Sequence, residues 1–176
     1  RYGTDVHLAC EEHIRDNKPI PKKYSYVQPS LDALKRKKGK KLCEYELGLT
    51  EDLQPCGFRD KDVWFRGIAD LIILNEEDGI AWVVDYKTGK SARYADKNQL
   101  ELMALAVFKH FPKIHTCAGG LLFVVCKQLI TESYSRPRRE NDLEVKYRDK
   151  FSQMVIASDN DVWNPNPSGL CRAWCD

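Results

Sequence analysis

The chain has 176 residues, 43% hydrophobic and 31% charged, with a formal net charge of only +2. That describes an ordinary water-soluble globular protein with one real core, and it leaves any polyanion site to local clustering of charge. No apolar run reaches the roughly 18–20 residues that span a bilayer, so no membrane-spanning helix is expected in these residues.

The first residue is Arg1 and no signal peptide is visible, so the natural start is expected to lie upstream. The seven cysteines are scattered and odd in number. They do not form the dense framework of a small secreted protein, and an intracellular, reducing location is expected.

Residues 2–16, YGTDVHLACEEHIRD, read as a helix with Val6, Cys10 and Ile14 recurring every four positions. Pro19, Pro21 and Pro29 make 17–30 a loop or packed irregular segment. LDALKRKKGKKL, 31–42, opens as a helix and ends in a basic run. CEYELGL, 43–49, alternates as a half-buried strand: Glu44 and Glu46 on one side, Tyr45, Leu47 and Leu49 on the other. After a polar loop, strands are expected at 63–74 and 80–87, joined by the turn NEEDG.

TGKSARYADK reads as a loop, and NQLELMALAVFKHF, 98–111, as an apolar helix ended by Pro112. Residues 119–134 hold one or two strands, and SRPRRE, 135–140, is a basic loop. Residues 141–158 form an amphipathic helix with the stripe Leu143, Tyr147, Phe151, Met154 and Val155. The order predicts an α/β fold, a mixed central sheet flanked by helices, in a single domain over 1–176.

Three charges interrupt the two apolar strands: Asp70 in the first, Asp85 and Lys87 at the end of the second. Pairing Leu74 near Ile80 sets Asp70 opposite Val84. Asp85 and Lys87 share a face, and a register slip of one residue brings Asp70 to it. Two carboxylates so placed repel unless a proton or cation lies between them. Carboxylate and carbonyl oxygens suit Mg²⁺ or Mn²⁺. A Lys87 salt bridge with both aspartates is the alternative, but plain cores rarely bring three charges together.

Asp70, then Asp85-Tyr86-Lys87 after a hydrophobic strand, resembles the signature of the PD-(D/E)XK nuclease superfamily. GIADLI and VVDYKTGK resemble the two carboxylate motifs of its RecB-like, lambda-exonuclease-like branch. YGTDVH resembles that branch's Gly-x-x-x-His helix motif, and NQLEL its glutamine motif. The Asp…Asp-x-Lys pattern alone is not specific; the four motifs in this order are.

The resemblance implies a restriction-endonuclease-like core and Mg²⁺- or Mn²⁺-dependent hydrolysis of DNA, preferably as an exonuclease in recombination, repair or replication. A helicase or recombination partner is left open. His7, Asp70, Asp85 and the backbone carbonyl of Tyr86 would hold the metal. Lys87 would be the catalytic lysine, and Gln99 would position the lysine or the DNA. The tyrosine that often follows this glutamine by four residues is Met103 here, with Tyr94 a substitute. The family's extra glutamate would be Glu44 or Glu46, and the spacing to Leu47 and Leu49 favours Glu44. A structure-selective endonuclease and a catalytically silent DNA-binding subunit are the rival readings.

Two basic stretches are candidate phosphate contacts: Lys35, Arg36, Lys37 and Lys38, and Arg136, Arg138 and Arg139. A solvated face is the alternative for each. The tail holding Cys171 and Cys175 resembles the end of an iron–sulfur cluster motif cut off before a third cysteine. Cys10 lies on the apolar stripe, so an intact cluster is not expected in this chain.

Overall fold

The computed structural model describes residues 2–93 and 96–163. Its sheet has six strands: β1 (Lys40–Thr50), β2 (Pro55–Cys56), β3 (Val63–Asn75), β4 (Ile80–Lys87), β5 (Thr116–Phe123) and β6 (Gln128–Ser135). They lie in the order β2-β1-β3-β4-β5-β6. Helix α1 (Tyr2–Asp16), a 3-10 helix (Lys22–Val27) and α2 (Gln28–Arg36) precede the sheet in the chain. Helix α3 (Asn98–His110) connects β4 to β5, and α4 (Arg138–Asp159) follows β6. Only β4 and β5 are parallel among these neighbours, and a parallel pair needs a crossover, which α3 supplies. This is the mixed, helix-flanked α/β sheet expected from the sequence.

Each face of the sheet buries its own core. On one, Leu47, Ile72, Val83 and Leu121 pack against α3 and α4; on the other, Leu71, Ile73, Val84 and Tyr86 pack against α1, α2 and the 3-10 helix. Leu71, Ile72 and Ile73 are fully buried because helices cover both sides of β3. That double burial is why its sequence reads as an unbroken apolar run. Each such side chain stabilises the fold by about 1.5–3 kcal/mol. The turn between β3 and β4 is fixed locally. Asn75 donates to the Asp78 carboxylate at 2.7 Å and accepts the Asp78 N–H at 3.1 Å, and Gly79 takes φ +66°.

Several boundaries differ from expectation. Strand β1 starts at Lys40, inside the basic run, because Lys40 and Lys41 pair with Leu74 and Ile73; tertiary pairing overrides their weak strand preference. Part of the segment expected as loop is the 3-10 helix and the start of α2, whose Pro29 occupies the first turn. Residues 119–134 hold parts of two strands, β5 and β6, with Lys127 at φ +55° in the turn between them. Arg138 and Arg139 belong to the first turn of α4 rather than to a loop. The α4 stripe buries Leu143, Tyr147 and Phe151 but not Met154, which is 46% exposed. No helix of the described residues is long and apolar enough to cross a membrane.

Candidate active site at the split between β3 and β4

The β3–β4 ladder runs from Asn75↔Ile80 to Leu71↔Val84. This is one residue off the expected register. The next pair by count is therefore Asp70 with Asp85 rather than Asp70 with Val84. No further Cα pair continues the ladder: β3 goes on beside β1, and β4 goes on beside β5. The charged residues stand where the two strands part.

An irregularity that the hairpin reading did not place lies on the β1 side, with the register unchanged across it. Cys43 pairs with Leu71 and Tyr45 with Ala69, leaving Glu44 opposite Asp70 by count. Glu44 has φ +48°, sparsely populated for a residue with a side chain. Both strands change face across this point. Leu42 and Tyr45, three apart, pack into the α3 core, as do Ile72 and Ala69, whereas strict alternation would send such pairs to opposite faces.

Asp70 is buried, and its Oδ2 accepts the backbone N–H of Tyr86 at 2.6 Å. The side chain thus takes a donor that the parting strands would otherwise leave unpaired. Its Oδ1 lies 3.3 Å from Nδ1 of His7 on α1. The Asp70 bond raises the His7 imidazole above its ordinary value against the opposing effect of burial; the charges of Asp70 and Asp85 and a backbone hydrogen bond at Tyr86 add to the rise. Gly3, one turn before His7, lets α1 approach the end of β4, since a Cβ there would lie 3.3 Å from Oγ1 of Thr88.

On the other face, Gln99 in the first turn of α3 ties two charges together. Its Nε2 donates to Asp85 Oδ1 at 2.6 Å, and its Oε1 accepts from Lys87 Nζ at 3.0 Å. Lys87 Nζ is also 2.7 Å from Asp85 Oδ2, an ionic contact without hydrogen-bond alignment. That buried Oδ2 is left with no hydrogen bond. Burial pushes the Asp85 carboxyl up, the charge of Asp70 adds to it, and Lys87 and Gln99 oppose it. Asp96 Oδ1 accepts the Asn98 N–H at 2.9 Å and so holds the helix start that presents Gln99.

The model of the PD-(D/E)XK nuclease superfamily matches residues 1–176, the full length given. The chain belongs to the PD-(D/E)XK nuclease superfamily. No curated protein matches the chain. A solved structure described as the crystal structure of SSO0001 is similar at 14% identity with a TM-score of 0.45; the match covers 99% of this chain and 65% of that one. This chain thus spans just under two thirds of that chain's length.

Within this PD-(D/E)XK chain His7, Asp70 and Tyr86 form one set of contacts, and Asp85, Lys87 and Gln99 another, where β3 and β4 part. Among the described residues, no three His, Cys, Asp or Glu side chains form a group arranged to hold a metal ion. His7 and Asp70 are engaged with each other, and Asp85 with Gln99 and Lys87.

Glu44 is exposed at the mouth of the split. Partial desolvation raises its carboxyl, helped by the charges of Asp70, Glu11 and Asp85 and opposed by His7. Glu11, four residues after His7 and so on the same side of α1, reaches Glu44 through its charge alone and is paired with Arg15. Met103 is buried against Gly67, where a Cβ would lie 2.6 Å from its sulfur, so it packs beneath β3. Tyr94 lies outside the described residues.

The basic candidates sit elsewhere. Lys40, at the end of the 35–41 run, pairs with Leu74 beside the β3–β4 turn, at the opposite end of the ladder from Asp70. Lys38 is 3.0 Å from Glu77 and 3.3 Å from Asp78, Lys35 bonds Asn17 at 2.5 Å, and Lys37 lies 4.6 Å from the Trp82 ring centre. Arg36 is exposed. Arg136 donates to the carbonyls of Pro112, at 2.8 Å, and Phe108, and lies 3.0 Å from Glu140. It closes the C-terminal end of α3, about 13 Å along the helix from Gln99. Arg138 and Arg139 are exposed, with Arg139 5.6 Å from the Tyr134 ring centre. Cys10 is fully buried, its thiol pushed up to about 12 by burial first and the Asp70 charge second. Cys171 and Cys175 lie outside the described residues.

Proposed function

We propose that residues 1–176 form one nuclease domain of the RecB-like branch that hydrolyses DNA phosphodiester bonds with Mg²⁺ or Mn²⁺, as an exonuclease in recombination, repair or replication. The observation that carries the reading is the meeting of Asp70 and Asp85 at the split in the sheet, with Lys87 held beside them by Gln99. The donor chemistry fits a hard divalent cation. Asp85 Oδ2 is buried without a hydrogen bond, and its carboxyl stays raised by burial and by Asp70 although the Lys87 ammonium lies 2.7 Å away, a conflict that a divalent cation would relieve further.

Asp70, Asp85, His7 and the Tyr86 carbonyl would hold the metal, with Glu44 as a further oxygen donor. When bound, the metal would lower the pKa of water and neutralise charge on the scissile phosphate. Lys87 orients the attacking water and offsets charge on the phosphate in the transition state. Gln99 holds the ammonium in place beside Asp85. In the hydrolysis, a P–O bond to water forms as the P–O bond to the leaving sugar oxygen breaks. An intracellular location is part of this reading; Cys10, Cys43, Cys56, Cys117 and Cys126 are free thiols.

The test compares end-labelled linear DNA with closed circular DNA, each with Mg²⁺ and with Mn²⁺. Loss of label from linear DNA with circles left intact is the expected result. Cutting of circles would replace the exonuclease reading with an endonuclease. Absence of both cleavage and Mn²⁺ or Mg²⁺ binding would leave a nucleic-acid-binding subunit.

A further inference from the structure

Tyr2 continues the buried stripe of α1 beyond the core. Val6 and Cys10, one and two turns along, are fully buried, but the Tyr2 side chain is 52% exposed. The ring is nonetheless fixed in place. Its hydroxyl is 2.6 Å from that of Tyr26, and the Tyr24 ring meets it edge-on at 6.0 Å and 70°. Such a ring presents apolar surface to water in a defined orientation, at little further ordering cost to a partner.

Two further observations say what fits it. Lys22 and Lys23 are exposed beside Tyr24, and among the described residues neither forms an ion pair with a carboxylate. The Lys23 ammonium lies 4.7 Å from the Tyr24 ring centre and bonds to Tyr24 first, with the charge of Asp5 reaching it more weakly. The patch also adjoins the candidate active site. Gly3, the next residue, packs on Thr88, which directly follows Lys87, and His7 is about 7 Å further along the helix axis. An aromatic face next to exposed cations that no carboxylate pairs suits a nucleobase and its phosphates.

We propose that Tyr2 is a stacking platform for an unpaired nucleobase of the substrate strand at the mouth of the active site, with Lys22 and Lys23 holding the adjoining phosphates. This rests on the nuclease reading for its substrate. It adds a single-stranded segment to what the site recognises, and makes Tyr2 a binding residue. Tyr26 acts only through Tyr2, by orienting its ring.

The test measures binding of a single-stranded oligonucleotide by the Lys87→Met form, alone and combined with Tyr2→Leu, Tyr2→Phe or Tyr26→Phe. Tyr2→Leu is expected to weaken binding roughly 5- to 100-fold, the range of one lost base–aromatic stack. Tyr2→Phe keeps most of the affinity. Scanning an abasic position along the oligonucleotide finds one site at which the Tyr2→Leu loss disappears. Unchanged affinity in Tyr2→Leu overturns the proposal. So does an equal loss in Tyr26→Phe, or a loss that no abasic position removes, since each marks a structural effect. Cleavage by the native chain is measured in parallel. A Tyr2-dependent, base-dependent affinity without cleavage refutes the nuclease reading and leaves the platform standing; cleavage with no effect of Tyr2→Leu does the reverse.

Discussion

Asp70 accepts the backbone N–H of Tyr86 at 2.6 Å, across the point where their two strands separate. One carboxylate oxygen therefore completes the sheet, and the other lies 3.3 Å from the His7 imidazole, where the proposed metal would bind. The two roles separate by substitution. Asp70→Asn keeps an oxygen for Tyr86 and removes the charge, so stability is expected to change by less than about 1 kcal/mol while cleavage falls at least about 100-fold. Asp70→Ala also leaves the buried N–H unpaired and is expected to lose a further 1–3 kcal/mol or so. Denaturant melts and initial cleavage rates of the two variants check this. Equal stability of both would remove the structural role.

Gln99 contacts both Asp85 and Lys87, so its loss is expected to act through the lysine's position. Gln99→Ala should lower the single-turnover rate by about 10- to 100-fold, the range for residues that orient catalytic groups. DNA affinity should change little. Lys87→Ala should lower the rate further, again with little change in affinity. A Gln99→Ala variant that loses affinity but keeps its rate would instead make Gln99 a DNA contact.

The charge interruptions in β3 and β4 made the centre of the candidate site stand out, because Asp70, Asp85 and Lys87 stand among residues that otherwise write an apolar strand. Helix α3 was legible from its length and its Pro112 stop. Register was not. One residue separates Asp70↔Val84 from Asp70↔Asp85, and that residue depends on how the Asn75–Gly79 turn closes. The backbone at Glu44 was also hidden: a positive φ at a glutamate has no composition signal, though its expected position in the family proved to lie opposite Asp70. The partners of the basic residues were not legible either, for a physical reason. Charge in a sequence does not reveal its partner, and Arg136 is bonded to main-chain carbonyls while Lys38 is paired with the turn acids.

That difference gives a prediction. Arg136→Met should lower stability by about 1–3 kcal/mol, because it unpairs carbonyls at the end of α3, and should leave the salt dependence of DNA binding unchanged. A salt slope flattened by about one unit would instead make Arg136 a phosphate contact. The comparison is a urea melt beside a salt series of binding constants.

Glu101 provides a pH-dependent clasp between α3 and α4. Burial acts to raise its carboxyl, but bonds from Lys146 and from the Tyr147 hydroxyl, 2.9 Å away, outweigh it and hold the carboxyl below its ordinary value. A depressed folded-state value favours the folded protein once the unfolded chain's glutamate ionises. The contribution is therefore full above that ordinary value, near 4.5, and is lost as pH falls through the depressed one. Glu101→Gln should lower the melting temperature modestly at pH 7, for a loss of about 1 kcal/mol or less, and flatten the fall in acid. Identical acid limbs for the variant and the native chain would remove the clasp.

Asp85 is the residue on which the proposed chemistry converges: half-buried, raised by its surroundings, touched by Gln99 and Lys87, and left with one buried oxygen free of hydrogen bonds. The most direct measurement is therefore cleavage of end-labelled DNA in Mg²⁺ by Asp85→Ala, alongside the native chain and with circular dichroism on both. The expected result is a native-like spectrum and no cleavage, with the native chain active and silenced by EDTA. A folded Asp85→Ala that retains near-native activity would contradict the assignment of this site.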